Sequence, residues 1–192
     1  MDKDKVKDLP DRKLIRMPSY DYSMSGFYFV TICTCNRFPY FGAIDKGQMT
    51  LNKYGDVAVK HWLSIPDHCQ DVELYEYVVM PNHIHGIVII NNEERIYAFP
   101  TKNEEKCNRT QMLLSKVIQQ YKSSVTRDIC ARSNKRAFRW QKSYYDRIIR
   151  NENELNCIRE YIINNPLKWG FDHENPEGKP DDKEKKFWKA FS

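Results

Sequence analysis

Two histidines flank one isoleucine at His83-Ile84-His85, inside the strongly apolar run YVVMPNHIHGIVII. Alternate residues of a strand point to the same side, so an extended backbone projects both imidazoles from one sheet face and sends Ile84 into a core. Imidazoles placed in this way suit two adjacent coordination positions on one divalent metal, and a central strand holds such a pair rigidly. Further along, Tyr161 and Asn165 stand four residues apart and share one face of a helix. A phenol beside an amide offers a nucleophile and a third metal ligand from one short element. A tyrosine hydroxyl ionises only near pH 10, so at neutral pH it needs a metal or a base before it can attack. Each of these residues also has an ordinary structural use: half-buried histidines with backbone partners, Tyr161 as a core residue beside Ile158 and Ile162, and Asn165 as a helix cap before Pro166.

The remaining chemistry-bearing residues are cysteines and cations. Cys33 and Cys35 are spaced to share a strand face, and with His83 and His85 they form a rival Cys2His2 zinc set. Cys69, Cys107, Cys130 and Cys157 stand alone and read as reduced thiols. The net charge of +5 is unevenly spread. Between Arg109 and Arg150 there are eleven basic residues against two acids, Asp128 and Asp146. Aromatic residues interleave with them. A cationic stretch of this kind suits a phosphate backbone and unstacked bases. Lys116, Lys122, Arg127, Arg136 and Arg139 are the candidate phosphate contacts, and Trp140 and Tyr144 the candidate stacking residues. The ordinary alternative is a solvated helix face for the cations and core packing for the rings.

Alternating segments must position these groups. GFYFVTICTC from Gly26 is aromatic and β-branched, hence a strand. FGAIDKGQMTL from Phe41 to Leu51 reads as a hairpin turning at Asp45-Lys46-Gly47. Asn52 caps a helix running to about Ile65, closed by Pro66. VELYEYVVM and HIHGIVII are two strands separated by Pro81-Asn82, and residues 91–108 form a polar loop. A long amphipathic helix spans about 110–130, with Leu114, Val117, Ile118, Tyr121 and Val125 at helical spacing. SYYDRIIR is a last strand. Asn151-x-x-Glu154 resembles a capping box opening a helix that Asn165-Pro166 ends. The order predicts an α+β ferredoxin-like sandwich: an antiparallel sheet with helices on one face and a C-terminal helix carrying the tyrosine. Residues 1–22 read as a charged N-terminal arm, 23–170 as the domain and 171–192 as a polar C-terminal tail.

Composition bounds the rest. A chain of 192 residues favours one domain, and 13% aromatic content is too high for a disordered one. Mean hydropathy is −0.75, and no apolar run is long enough to span a bilayer. The charged N-terminus, MDKDKVKDLPDRK, lacks the apolar centre of a secretory signal. A cytoplasmic protein is expected.

Read together, PNHIHG after an apolar strand, SYYDRIIRNENEL and REYIINNPLKWG resemble the single-tyrosine HUH transposases of the insertion-sequence (IS200-like) type. Their REP-associated branch is the nearest in kind. The resemblance covers about residues 17–170. It implies that His83 and His85 are metal ligands, Tyr161 the nucleophile and Asn165 the amide ligand on the nucleophile's helix. Asparagine followed by proline, where mobile members have glutamine, is similar to the REP-associated branch. The family implies a divalent cofactor, Mg2+ or Mn2+. It also implies cleavage of single-stranded hairpin DNA through a 5′-phosphotyrosine, in transposition or REP-element processing, by a monomer or a homodimer. Two alternatives remain open on the residues alone. One is a non-catalytic nucleic-acid-binding relative; the other is a different nucleophile, Tyr121 or Tyr145.

Overall fold

The computed structural model describes residues 21–91, 112–132 and 138–190. Its main sheet has four antiparallel strands in the order β4-β5-β1-β6: β1 Gly26–Cys33, β4 Val72–Val79, β5 His83–Ile90 and β6 Tyr145–Ile149. A separate hairpin joins β2 Gly42–Asp45 to β3 Gln48–Leu51. Its turn residues Lys46 and Gly47 take φ of 48° and 78°, the left-handed values that a tight hairpin turn requires. The helices are α1 Lys53–Leu63, α2 Ile65–His68, α3 Leu113–Arg132, α4 Glu152–Asn164 and α5 Asp182–Ala190. The expected loop at 91–108 and arm at 1–22 fall almost wholly outside the described residues.

The two faces of the sheet carry different cores. On one, Tyr28, Val30 and Ile32 of β1 and Ile84, Val88 and Ile90 of β5 pack against Trp62 of α1 and Leu114, Ile118 and Val125 of α3. On the other, Phe29 and Ile87 pack against Ile158, Tyr161 and Ile162 of α4, with Phe187 and Trp188 of α5 outside them. Strand alternation divides the residues in this way. The strand pairing aligns Thr31 with His85 and Cys33 with His83, so both histidines lie on the α4 face, as their spacing predicts. The helices α1 and α3 hold the strands in place from behind, and the site is built in front.

Local chemistry sets the element ends. Asn52 Oδ1 accepts from the N–H groups of Tyr54 and Gly55 and starts α1. Asn151 Oδ1 accepts from Glu154 N at 2.9 Å and starts α4, while Glu154 returns to the Arg150 N–H at 2.9 Å and to Arg147. Arg159 of α4 pairs with Glu76 of β4 at 2.6 Å, tying the helix across the sheet.

Three boundaries differ from the sequence expectations. Pro66 does not close α1; it occupies the first turn of α2, where its missing N–H costs nothing. Strand β1 stops at Cys33, because Asn36 and Arg37 adopt left-handed φ of 54° and 52° in a 3-10 turn over Cys35–Arg37. The segment beyond Gly170 is not a free polar tail over its described length: a 3-10 turn at Trp169–Phe171 leads it back over the sheet, and α5 ends it.

Candidate active site

His83 and His85 are both fully buried, with ring centroids 4.3 Å apart. Each has its Nδ1 engaged. Asn82 Oδ1 stands 2.7 Å from His83 Nδ1, and Thr31 Oγ1 stands 2.9 Å from His85 Nδ1. The Nε2 atoms of both rings are buried and have no hydrogen-bond partner. Both face one carboxylate oxygen, Asp172 Oδ2, at 4.0 Å each. Asn165, capping α4, donates its Nδ2–H to that same oxygen at 2.6 Å, and its Oδ1 is again buried and unpartnered.

Buried acceptors are ordinarily satisfied, so three orphaned atoms around one carboxylate form a cation-shaped gap in the hydrogen-bonding. The ligand atoms of His83, His85 and Asp172 lie within 4.8 Å of one another, close enough to share one ion. The donor set of two imidazoles, a carboxylate and an amide oxygen fits a divalent metal, and a transition metal such as Mn2+ better than Mg2+.

Electrostatics agree with that reading. Burial, and then the neighbouring His85, push the His83 imidazole down to about 4, so it is neutral with a lone pair at neutral pH. Burial works against the Asp172 carboxylate, but His83, His85 and Asn165 together hold it well below the usual carboxylate range.

Tyr161 sits one helical turn before Asn165, 7% exposed, its ring 5.3 Å from that of His85. Its hydroxyl donates to Glu184 Oε1 of α5 at 3.0 Å, and Phe187 stacks on it at 3.9 Å, nearly parallel. The same oxygen of Glu184 accepts from Trp188 Nε1 at 2.7 Å and from the His173 N–H at 3.1 Å. Burial, reinforced by Asp172 and Glu184, pushes the phenol well above its ordinary value. An attacking Tyr161 therefore needs an acceptor for its proton.

Of the other candidates among the described residues, only Tyr145 lies beside this cluster. Cys33 donates its thiol to Glu174 Oε2 at 3.3 Å, which also pairs with Arg37, and Cys35 lies beyond the strand end. Neither cysteine joins the metal-ligand group among the described residues, so the Cys2His2 expectation is replaced by His83, His85 and Asp172. Tyr121 is buried on the opposite face, where its hydroxyl donates to Ala58 O at 3.1 Å. Tyr145 packs on the site's face, but from β6, at its edge.

Of the cationic stretch, Lys116, Arg127 and Arg139 are exposed. Arg136 lies outside the described residues. Lys122 points inward, its Nζ donating to Gln141 O at 2.6 Å. Trp140 donates its indole N–H to Lys122 O at 3.0 Å and packs against Phe41 and Phe138. Tyr144 is half-buried beside Ser115 at 3.3 Å. These three side chains are used within the fold, on the face away from the histidines.

Two residues of this cluster were missed from the sequence, Asp172 and Glu184. Both lie in the segment read as a polar tail, and no spacing rule relates either to the histidines.

The fold is similar to that of a solved tyrosine transposase. The structure of the REP-associated tyrosine transposase bound to a REP hairpin superposes with a TM-score of 0.51 at 18% identity, over 76% of this chain and 69% of that one. No protein-family profile matches the chain. In sequence it is 37% identical over 165 residues to an uncharacterized protein of Haemophilus influenzae, covering 82% of this chain and 89% of that protein. The chain belongs to the family of that protein. No helix among the described residues is long and apolar enough to cross a membrane.

Proposed function

We propose that the protein is a metal-dependent single-stranded DNA endonuclease and strand transferase. It would cleave hairpin-containing DNA through a 5′-phosphotyrosine on Tyr161, in DNA transposition or in processing of REP-like elements. One observation carries this reading. His83 Nε2, His85 Nε2 and Asn165 Oδ1 are buried polar atoms without hydrogen-bond partners, gathered around Asp172 beside the Tyr161 ring.

His83, His85, Asn165 and Asp172 would hold a divalent cation, Mg2+ or Mn2+, which when bound would supply Lewis-acid polarisation of the scissile phosphate. Tyr161 Oη attacks phosphorus in line. The Oη–P bond forms, the P–O3′ bond breaks, and the departing oxygen takes up a proton as a free 3′-hydroxyl. Glu184 Oε1, 3.0 Å away, is in place to accept the phenol's proton. The phosphotyrosine retains the energy of the phosphodiester, so a second 3′-hydroxyl can reverse the step and join strands without any nucleotide cofactor. Phe187 and Trp188 cover the phenol and shield such an ester from water. Lys116, Arg127 and Arg139 remain as phosphate contacts in this reading. The protein would act as a monomer or a homodimer.

The test is a covalent protein–DNA band on a denaturing gel. Protein, Mn2+ and hairpin oligonucleotides taken from the sequence flanking its own gene are incubated together, with Tyr161→Phe and His83→Ala alongside. The band is expected with wild type and absent from both variants. A wild type that binds the hairpin yet forms no adduct would replace this reading with a non-catalytic DNA-binding protein.

A further inference from the structure

The segment from Phe171 to Ser192 carries five lysines against six acids, so its sequence shows no basic character. Folding removes half of the acids from the surface, leaving Glu177 and Asp182 exposed and Asp181 half-buried. Asp172, Glu174 and Glu184 are buried at 1%, 0% and 5% exposure, turned toward the histidines, Arg37 and Tyr161. Lys183, Lys185, Lys186 and Lys189 of α5 are all exposed. In a helix, positions 184, 187 and 188 share one face, and here they carry Glu184, Phe187 and Trp188 onto Tyr161. The four lysines fan over the opposite side, spanning roughly 9 Å from 183 to 189 at 1.5 Å per residue. Lys185 pairs only loosely with the exposed Asp182, at 3.8 Å.

We infer that the outer face of α5 is a contact surface for the phosphate backbone of the strand being cut. This rests on the DNA-cleaving reading above and gives it a surface. The four cations sit on the one helix that covers the nucleophile. Of the phosphate contacts singled out in the sequence, Lys116, Lys122 and Arg127 lie instead on α3, behind the sheet, with Lys122 turned inward. His83, His85, Asn165 and Asp172 are all at most 1% exposed. A phosphodiester approaching Tyr161 meets α5, whose inner side covers the phenol, and with it the α5 lysines. Cations at that position raise the local concentration of a polyanion at the mouth of the site.

The experiment measures anisotropy of a labelled single-stranded hairpin oligonucleotide with the full chain over a series of KCl concentrations. The variants are Lys183→Gln, Lys185→Gln, Lys186→Gln and Lys189→Gln combined, the same four changed to Arg, and Lys116→Gln with Arg127→Gln and Arg139→Gln. Each phosphate contact to a single strand contributes about 0.7 to the slope of log affinity against log salt. The glutamine set on α5 is expected to bind about tenfold or more weaker at low salt, with a slope shallower by roughly 2 to 3. The arginine set is expected to match wild type. Unchanged affinity and slope in the α5 glutamine set, or loss in the arginine set, overturns the inference. If wild type forms Tyr161-linked adducts while the α5 set binds normally, only this surface is lost. If wild type shows no salt-dependent binding at all, the DNA-cleaving reading falls with it.

Discussion

Asn82 fixes the tautomer of His83. Its Nδ2 donates to the carbonyls of Arg37 at 3.1 Å and Glu174 at 2.9 Å, which leaves Oδ1 facing His83 Nδ1 at 2.7 Å. An amide oxygen can only accept, so His83 must carry its proton on Nδ1 and offer a lone pair from Nε2. The arrangement is the outer-shell support that metal-bound histidines ordinarily have. Through the Glu174 carbonyl it also ties the metal face to the segment that supplies Asp172.

Asn82→Ala is therefore expected to weaken Mn2+ binding by about 10–100-fold, read by calorimetry on the purified protein. Asn82→Asp supplies an acceptor at Oδ1 and is expected to recover much of the His83 contact, while losing the two donations. Equal affinity in wild type and Asn82→Ala would show that His83 is oriented by its strand alone.

Lys122 contributes a pH dependence of stability in the alkaline range. Burial lowers its ammonium group from 10.5 to about 8. The folded value lies below the unfolded one, so between about pH 8 and 10.5 the unfolded chain holds more protons. Stability then rises with pH through that window, because the cost of burying a charge disappears as the amine loses its proton. Chemical denaturation of wild type at pH 7.5 and at pH 9.5, compared with Lys122→Met, checks the sign. The methionine variant is expected to lack the upward trend; an identical trend in both would assign it elsewhere.

Gly86 marks where the histidine strand meets the rear core. A Cβ at this position would run into the Trp62 indole of α1, itself fully buried. Neither partner can yield, since the strand is paired on both sides and the ring fills the core. Gly86→Ala is expected to cost about 1–3 kcal/mol or more by overpacking, read as a lowered denaturation midpoint with changed tryptophan fluorescence. Retained stability would mean that Trp62 has an alternative rotamer with room for it.

Much of this architecture was legible because it follows from local rules. Period-two alternation placed His83 and His85 on one face and Ile84 in the core, and period-four spacing placed Tyr161 beside Asn165. Asn52 and Asn151 announced their helices by side-chain chemistry alone. What was not legible depends on contacts between distant segments. Asp172 reaches the histidines only because the 3-10 turn at Trp169–Phe171 reverses the chain after α4. Glu184 reaches Tyr161 only because Phe187 and Trp188 give α5 an apolar side to dock with. In sequence these residues read as mixed charge, since the lysines between them hide the inward-facing pattern. Lys122 and Trp140 show the same dependence on distant contacts: both are half-buried and bonded within the fold, which composition does not reveal.

Glu184 is the polar anchor of α5, and its removal separates docking of that helix from stability of the sheet. One oxygen, Oε1, accepts from Tyr161, Trp188 and the His173 backbone. Glu184→Ala removes this acceptor from all three donors, and a donor left buried and unsatisfied would cost about 1–3 kcal/mol if the helix stayed in place. A nine-residue helix has a cheaper course, which is to detach and let water satisfy the donors. The expected result is rapid amide exchange and protease cleavage at the α5 lysines, with exchange protection of β1 and β5 unchanged. Tyr161→Phe removes only one of the three donations and keeps the Phe187 stack, so α5 is expected to stay protected in that variant. Protection of α5 lost equally in both variants would shift the anchor from the carboxylate to the phenol itself.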